Sequence, residues 1–185
     1  MQSTLEREIK LRFQGPAEAR AAIVGLGASP MRGRRLQEDY LLDTPDGRLR
    51  GQQCVLRVRI EPGKSLLTFK GPMQPSAMKL REELETVVGD GDTLLRLLEQ
   101  LGFTVSFRYQ KYREEFGYTE TILAVDETPI GTFVEIEGSE NGINEAAAAL
   151  GRTADEYLAD SYRSLFSQYC QERGLTATDM LFDEP

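Results

Sequence analysis

Acidic and basic side chains recur at every second position in several short stretches of this chain. Glu6, Glu8 and Lys10 form one set, Arg57 and Arg59 another, and Lys79, Arg81, Glu83 and Glu85 a third. Lys111 with Arg113 and Glu135 with Glu137 complete the series, while Lys70 ends one alternating stretch and Asp126 stands just ahead of the last pair. In a β-strand, residues i and i+2 project from the same face with Cα atoms about 6.6 Å apart. Each set would therefore line up its charges, leaving Ile9 and Leu11, or Leu56, Val58 and Ile60, to the opposite face. Paired carboxylates suit hard divalent cations. Guanidinium forks and mobile ammonium groups suit phosphate oxygens. The acids cluster on the first and last stretches and the bases on the middle ones, as an anion bridged to metal ions would require.

A sheet with one solvated face also alternates, and that explains any single stretch. The set departs from it because it recurs, and because Arg and paired Glu stand where a solvated strand would also show Thr, Ser and Gln. If the charged face turns inward, a dry core is excluded, since burying so many ions costs several kcal/mol each. The interior must then be a water-filled tunnel with apolar residues facing covering helices, which a wide β-barrel permits.

The elements that could position these residues alternate between strands and short helices. Strands are expected at Leu5–Phe13, 36–43, Gln53–Ile60, Ser65–Lys70, Met78–Val88, 106–116, 120–127 and 132–137. Glu61-Pro62-Gly63-Lys64 and Thr128-Pro129-Ile130-Gly131 read as turns. Helices are expected over Pro16–Leu26, from a cap at Asp92 to Leu101, and over Asn144–Leu150. Thr153 with Glu156 has the spacing of a capping box and predicts a longer helix reaching about Gln171. Lys111 and Arg113 share parity with Val105 and Phe107, which demands a bulge or a later strand start. The class is α+β: antiparallel strands with inserted helices, possible as a closed barrel. One domain over 1–170 and a loosely held tail over 171–185 are expected.

Composition narrows the chemistry. The 185 residues suffice for one core, and with 40% hydrophobic and 28% charged residues the chain reads as globular. A formal net charge of −8 argues against a nucleic-acid or anionic-membrane surface, though not against a small anion in a basic pocket. The chain has no His, and Cys54 and Cys170 lack metal-ligand spacing, so any metal must be a hard ion such as Mg²⁺ or Mn²⁺ held by carboxylates. No apolar run approaches bilayer length, and a cytoplasmic protein is expected.

In these motifs the chain resembles the CYTH family, or triphosphate tunnel metalloenzymes. Its ExExK signature stands here as Glu6-Arg7-Glu8-Ile9-Lys10, and Leu56-Arg57-Val58-Arg59, Phe69-Lys70-Gly71-Pro72, Arg81 with Glu83 and Glu85, and Lys111-Tyr112-Arg113 follow in the family's order. Asp126 and then Gly131-Thr132-Phe133-Val134-Glu135-Ile136-Glu137 close the series, and Ser161-Tyr162-Arg163 is similar to a C-terminal feature of class IV adenylyl cyclases. The resemblance implies an eight-stranded antiparallel closed β-barrel with flanking helices. It implies that Glu6, Glu8, Asp126, Glu135 and Glu137, with Glu83 or Glu85 as a further ligand, hold one or two divalent cations. By the same resemblance Lys10, Arg57, Arg59, Lys70, Arg81, Lys111 and Arg113 bind a small triphosphate, with Lys70, Arg57 and Arg59 as the catalytic group. One departure is Asp39-Tyr40-Leu41-Leu42-Asp43, where Leu41 occupies the slot of a Tyr that pairs with the Lys70 equivalent in some hydrolases. This makes thiamine triphosphate a less favoured substrate.

The implied activity is hydrolysis of tripolyphosphate or a nucleoside triphosphate, the alternative being cyclisation of ATP to cyclic AMP and pyrophosphate. A non-catalytic binder of triphosphate or polyphosphate and an acidic scaffold with solvated charges stay open, as does a homodimer. Glu82, Glu114 and Glu115 read as solvated, Tyr162 and Arg163 as helix surface, Tyr109, Tyr112 and Phe116 as packing, and both cysteines as small buried hydrophobes.

Overall fold

The computed structural model describes residues 5–183. Eight antiparallel strands close into a barrel, and three helices are packed on its outside. The strands are β1 Leu5–Phe13, β2 Ser29–Asp43, β3 Val55–Glu61, β4 Lys64–Lys70, β5 Lys79–Val88, β6 Thr104–Tyr118, β7 Thr121–Thr128 and β8 Gly131–Glu137. Around the barrel they run β1-β5-β4-β3-β2-β6-β7-β8, with β8 returning to β1. Closure gives every strand a neighbour on both sides, leaving only the overhanging ends of β1 and β6 for other segments to pair.

Apolar residues of the outward parity draw the helices onto the barrel. Ile9 and Leu11 of β1, Leu123 and Val125 of β7 and Val134 and Ile136 of β8 form one buried cluster. α1 (Pro16–Gly25) and α4 (Glu140–Ala149) cover it with Ile23, Ile143 and Ala146. On the other side α3 (Gly91–Gln100) lays Leu95 and Leu98 against Leu42 and Val58. Burial of such side chains contributes roughly 1.5–3 kcal/mol each, which is what turns the charged parity inward.

A third cluster lies on the inward parity at one end of the barrel. There Phe107, Tyr109 and Phe133 meet Tyr162 and Phe166 of α5 (Tyr162–Arg173), so one end of the lumen is apolar and capped by a helix. The parity conflict on β6 is resolved by a bulge: Leu41 pairs with Phe107 but Leu42 with Val105, which leaves Ser106 as the extra residue. Phe107 thus keeps the parity of Lys111, and Val105 moves to the outer face.

Several local expectations are corrected. β2 begins at Ser29, seven residues before the expected 36, because it follows β6 outward through two register shifts. A one-turn α2 (Arg48–Gly51) follows the Thr44–Gly47 turn. The cap of α3 is Asp90, whose carboxylate accepts from the Thr93 amide at 2.7 Å, not Asp92. The Thr153/Glu156 capping box exists, but it opens only a 3₁₀ turn over Ala154–Glu156. The chain then extends so that Leu158 can pair with Lys10, and α5 starts afresh at a Ser161 cap. α5 runs past 170 to Arg173, where Gly174 ends it in the left-handed conformation (φ 65°). The tail beyond is held rather than loose. Met180 is fully buried and bonded to Arg108 and Gln110, filling the edge of β6 that β7 does not reach.

Candidate active site

The inward parity of the strands encloses a cavity of about 270 Å³. Among the described residues twelve Lys and Arg and seven Glu line it, so the lumen is basic inside a chain of net charge −8. Lys10, Arg57, Arg59, Lys70, Arg81, Lys111 and Arg113 all face it, as do Glu6, Glu8, Glu83, Glu85, Glu135 and Glu137. Asp126 is the exception, lying behind the lining.

Most of the buried charges are met by opposite ones, as low-dielectric burial demands. Lys70 Nζ donates to both oxygens of Glu6 at 2.6 and 2.7 Å and lies 2.6 Å from Glu83. Glu8 accepts from Lys79 and, at 3.0 Å, from Lys10, which is also 3.3 Å from Glu135. Asp126 accepts from Lys111 Nζ at 2.8 Å, Arg113 Nε at 2.7 Å, Arg113 Nη2 at 2.6 Å and the Tyr162 hydroxyl at 2.6 Å. Arg113 also donates to Glu135. Asp39 accepts from Arg59 at 2.8 and 3.3 Å and lies 3.4 Å from Arg57, which reaches Thr68 and Glu85. Glu61 gathers Arg32, Arg35 and Gln37 at 2.6, 2.9 and 2.7 Å near the opposite mouth.

The protonation pattern follows from these contacts. Burial, with Glu8 beside it, pushes the Glu6 carboxyl up to about 7 although Lys70 opposes this. Burial and the same Glu8 push Glu137 to about 6. Burial works against the charge on Glu8 and Glu135 too. Lys10 and Lys79 outweigh it at Glu8, and Arg113 and Lys10 at Glu135, holding both well below the usual carboxylate range. Burial lowers Lys79 and Lys111 each to about 8, at Lys111 with help from Arg113. Glu6 and Glu137 are therefore crowded anions lacking full compensation, while Lys79 and Lys111 are crowded cations.

That crowding is the test of a metal here. Glu8 and Glu83 both raise the charge cost of Glu6 and of Glu137, and the four offer oxygen ligands only, a donor set that fits Mg²⁺ or Mn²⁺. Among the described residues no three form a ready-made ligand group, because Lys70 and Lys79 hold them. Asp126 stands apart from these four, behind the lining, where it accepts three hydrogen bonds from Lys111 and Arg113 and one from Tyr162.

Sequence reasoning passed over several members of the site. Glu61 shares the parity of Arg57 and Arg59, and Glu115 that of Lys111 and Arg113, so the same alternation could have found both. Glu115 is no solvated residue: it lines the cavity and accepts from Arg35 at 2.8 Å. Glu114 is bonded to Arg20 at 2.7 Å. Lys79 was visible in the alternating set, but its grip on Glu8 was not. Asp39 carried only its parity with Leu41. Tyr162 gave no local signal; it is buried rather than helix surface. Leu41 lines the cavity and Tyr40 packs outside against the α3 cluster, so no Lys70–Tyr pair forms. Cys170 is buried, but Cys54, in the link between α2 and β3, is half-exposed.

A closed eight-stranded barrel around a charged, cation-rich lumen makes this chain a tunnel protein. Residues 4–161 match the CYTH domain, and the chain belongs to that family. A Methanocaldococcus jannaschii protein named "putative adenylate cyclase" is 29% identical over 142 residues, 76% of this chain and 81% of the relative. A Pyrococcus horikoshii protein of known structure superposes with a TM-score of 0.73 at 27% identity, covering 85% of this chain and 96% of that one. A Hippeastrum protein described as a "putative adenylyl cyclase" with a dominant triphosphatase activity matches in fold. Its TM-score is 0.64 at 20% identity, over 93% of this chain and 97% of the other.

Proposed function

We propose that this chain is a divalent-metal-dependent enzyme that hydrolyses inorganic tripolyphosphate or a nucleoside triphosphate within the barrel. The carrying observation is the cation-rich cavity of about 270 Å³, capped at one end by α5. That volume falls just below the range of ordinary ligand pockets, roughly 300–1,000 Å³, and suits a phosphate chain better than an entire nucleotide.

Lys10, Arg57, Arg59, Lys70, Arg81, Lys111 and Arg113 would take the phosphate oxygens, with Lys70, Arg57 and Arg59 nearest the reacting group. Their charges are fixed in place before substrate arrives, the arrangement that stabilises charge developing on a transferring phosphoryl group. Glu6, Glu8, Glu83, Glu135 and Glu137 would hold Mg²⁺ or Mn²⁺, which supplies further neutralisation of the phosphate charge. Glu85, bound to Arg57 and Thr68, positions the arginine. Among the described residues no helix is long and apolar enough to cross a membrane, and the proposed setting is the cytoplasm.

A second reading, an adenylyl cyclase, is favoured by the name of the 29% identical relative. Incubation with tripolyphosphate or ATP and Mg²⁺ or Mn²⁺, followed by separation of products, decides between them. Orthophosphate without cyclic nucleotide supports the hydrolase; cyclic AMP with pyrophosphate overturns it. Thermal stabilisation by the ligand without any turnover would reduce the protein to a binder.

A further inference from the structure

The chain continues past α5, beyond the residues matched to the family, and then returns to the barrel. From Gln171 to Thr178 its residues are exposed, whereas Met180 is 0% exposed. Met180 lies beside Tyr109 in parallel register, along the stretch of β6 that β7 leaves unpaired. Its amide donates to the Arg108 carbonyl at 3.0 Å, and its carbonyl accepts from the Gln110 amide at 2.9 Å. Asp179 Oδ1 accepts from the Arg108 amide at 2.8 Å, and Gln110 Oε1 accepts from the Phe182 amide at 3.2 Å. The Phe182 ring packs on Tyr112, with centroids 5.2 Å apart. Residues 179–182 thus serve as a short additional strand. Without it the Arg108 and Gln110 amides would lie on an open edge with no partner.

This strand backs a wall of the lumen. Tyr109 lines the cavity, and Lys111, two residues on, projects from the same face. The Tyr109 ring lies 5.7 Å from that of Phe107 and 5.8 Å from that of Tyr162, and Met180 is buried in the same cluster. The Tyr162 ring in turn lies 5.0 Å from Lys111 Nζ and 5.3 Å from Lys10 Nζ. Both ammonium groups belong to residues that line the cavity, and Met180 itself does not line it. We infer that Met180 is a positioning residue. Its strand fixes β6 at Tyr109 and Lys111, and through the aromatic cluster it holds Lys10 and Lys111 where phosphate oxygens are to be met. The inference rests on the proposed triphosphate site and gives that site a support from the C-terminal segment. Truncating a buried side chain leaves a cavity that its neighbours fill only in part. Here those neighbours include Phe107 and Tyr109, on the strand that carries Lys111.

The test joins calorimetric binding of tripolyphosphate, with and without Mg²⁺, to amide hydrogen exchange. The proteins are the wild type, Met180→Ala, the conservative Met180→Leu, Phe182→Ala, and Gly91→Ala as a variant destabilised under α3, away from the cavity. Met180→Ala should weaken tripolyphosphate binding about tenfold, since misplacing a site group by about 1 Å can cost up to about a hundredfold. Met180→Leu, which keeps the volume, should stay within about twofold of the wild type, and Gly91→Ala should bind as the wild type does. Exchange should quicken at Tyr109 and Lys111 in Met180→Ala and not in Gly91→Ala. If Met180→Ala does not fold, Phe182→Ala decides, with an expected loss of about threefold from removing one aromatic pair. Unaltered affinity in the folded tail variants, or a loss matched by Gly91→Ala, overturns the positioning role. If the wild type itself binds no tripolyphosphate, the triphosphate reading falls and exchange alone judges the tail. Quickening that reaches Lys111 then upholds its hold on the wall, and quickening confined to residues 178–182 overturns it.

Discussion

Replacing Asp126 with Asn separates the two roles this residue could have. Its carboxylate is 0% exposed and accepts four hydrogen bonds, three from Lys111 and Arg113 and one from Tyr162. At 2.8 Å and an effective dielectric near 20, one such ion contact is worth about 6 kcal/mol before desolvation. Most of that is offset by the cost of burying the ions, but removing one partner leaves the others buried and unbalanced, which costs about 3–5 kcal/mol. Asn also turns an amide toward a cluster of donors. For a chain of this size the loss corresponds to a fall in Tm of roughly 6–20 °C. The assay is thermal and urea unfolding in the presence of chelator. A metal-ligand role predicts the reverse there, since with no cation bound the lost charge would be neutral or relieving. Tripolyphosphate restores negative charge beside Lys111 and Arg113, so the Tm gain it produces should exceed that of the wild type. A variant within about 2 °C of wild type under chelation would refute the counter-ion argument.

Two further outcomes follow from the same contacts. Glu6 and Glu137 bind their protons more tightly folded than unfolded, with values of about 7 and about 6 against an ordinary 4.5. Their contribution to stability therefore declines as pH rises from the ordinary value through that range, and a cation that favours the ionised forms should stabilise more at the upper end. The Mg²⁺-induced Tm shift at about pH 7.5 should exceed that at about pH 5; equal shifts would count against these carboxylates as ligands. Away from the site, a Cβ on buried Gly91 would lie 2.7 Å from Ile60 Cγ1 and 2.8 Å from Ser65 Oγ. Gly91→Ala should lose about 1–3 kcal/mol by overpacking under α3, with tripolyphosphate binding unchanged, and a variant as stable as wild type in urea would contradict that packing.

The alternation of charge along the strands was enough to tell inside from outside. Ile9, Leu11, Val58 and Ile136 seek burial under helices, and Glu6, Lys10, Arg57 and Glu135 must take the other face, because a side-chain period of two leaves no third choice. Motif order added the barrel and the family, and thirteen of the fourteen expected site residues face one cavity. Boundaries failed where the decision was not local. The Thr153 box is a sound helix start, yet the chain stays extended beyond it because Leu158 serves the exposed edge of β1 at Lys10. Met180 was assigned to a tail for want of any pattern, and it is buried because β6 outruns β7.

The sequence by itself therefore determined that a charged face lines an interior, and which residue types stand there to meet phosphate and a hard cation. Only the tertiary structure decided which acid meets which base. That pairing joins strands far apart in the chain: Glu6 to Lys70, Asp39 to Arg59, Asp126 to a tyrosine of the last helix. Coulomb energy in a buried site depends on those distances and not on spacing along the chain. Asp126 thus meets Lys111, Arg113 and Tyr162 behind the lining, and Arg81 Nε is left without a hydrogen-bond partner.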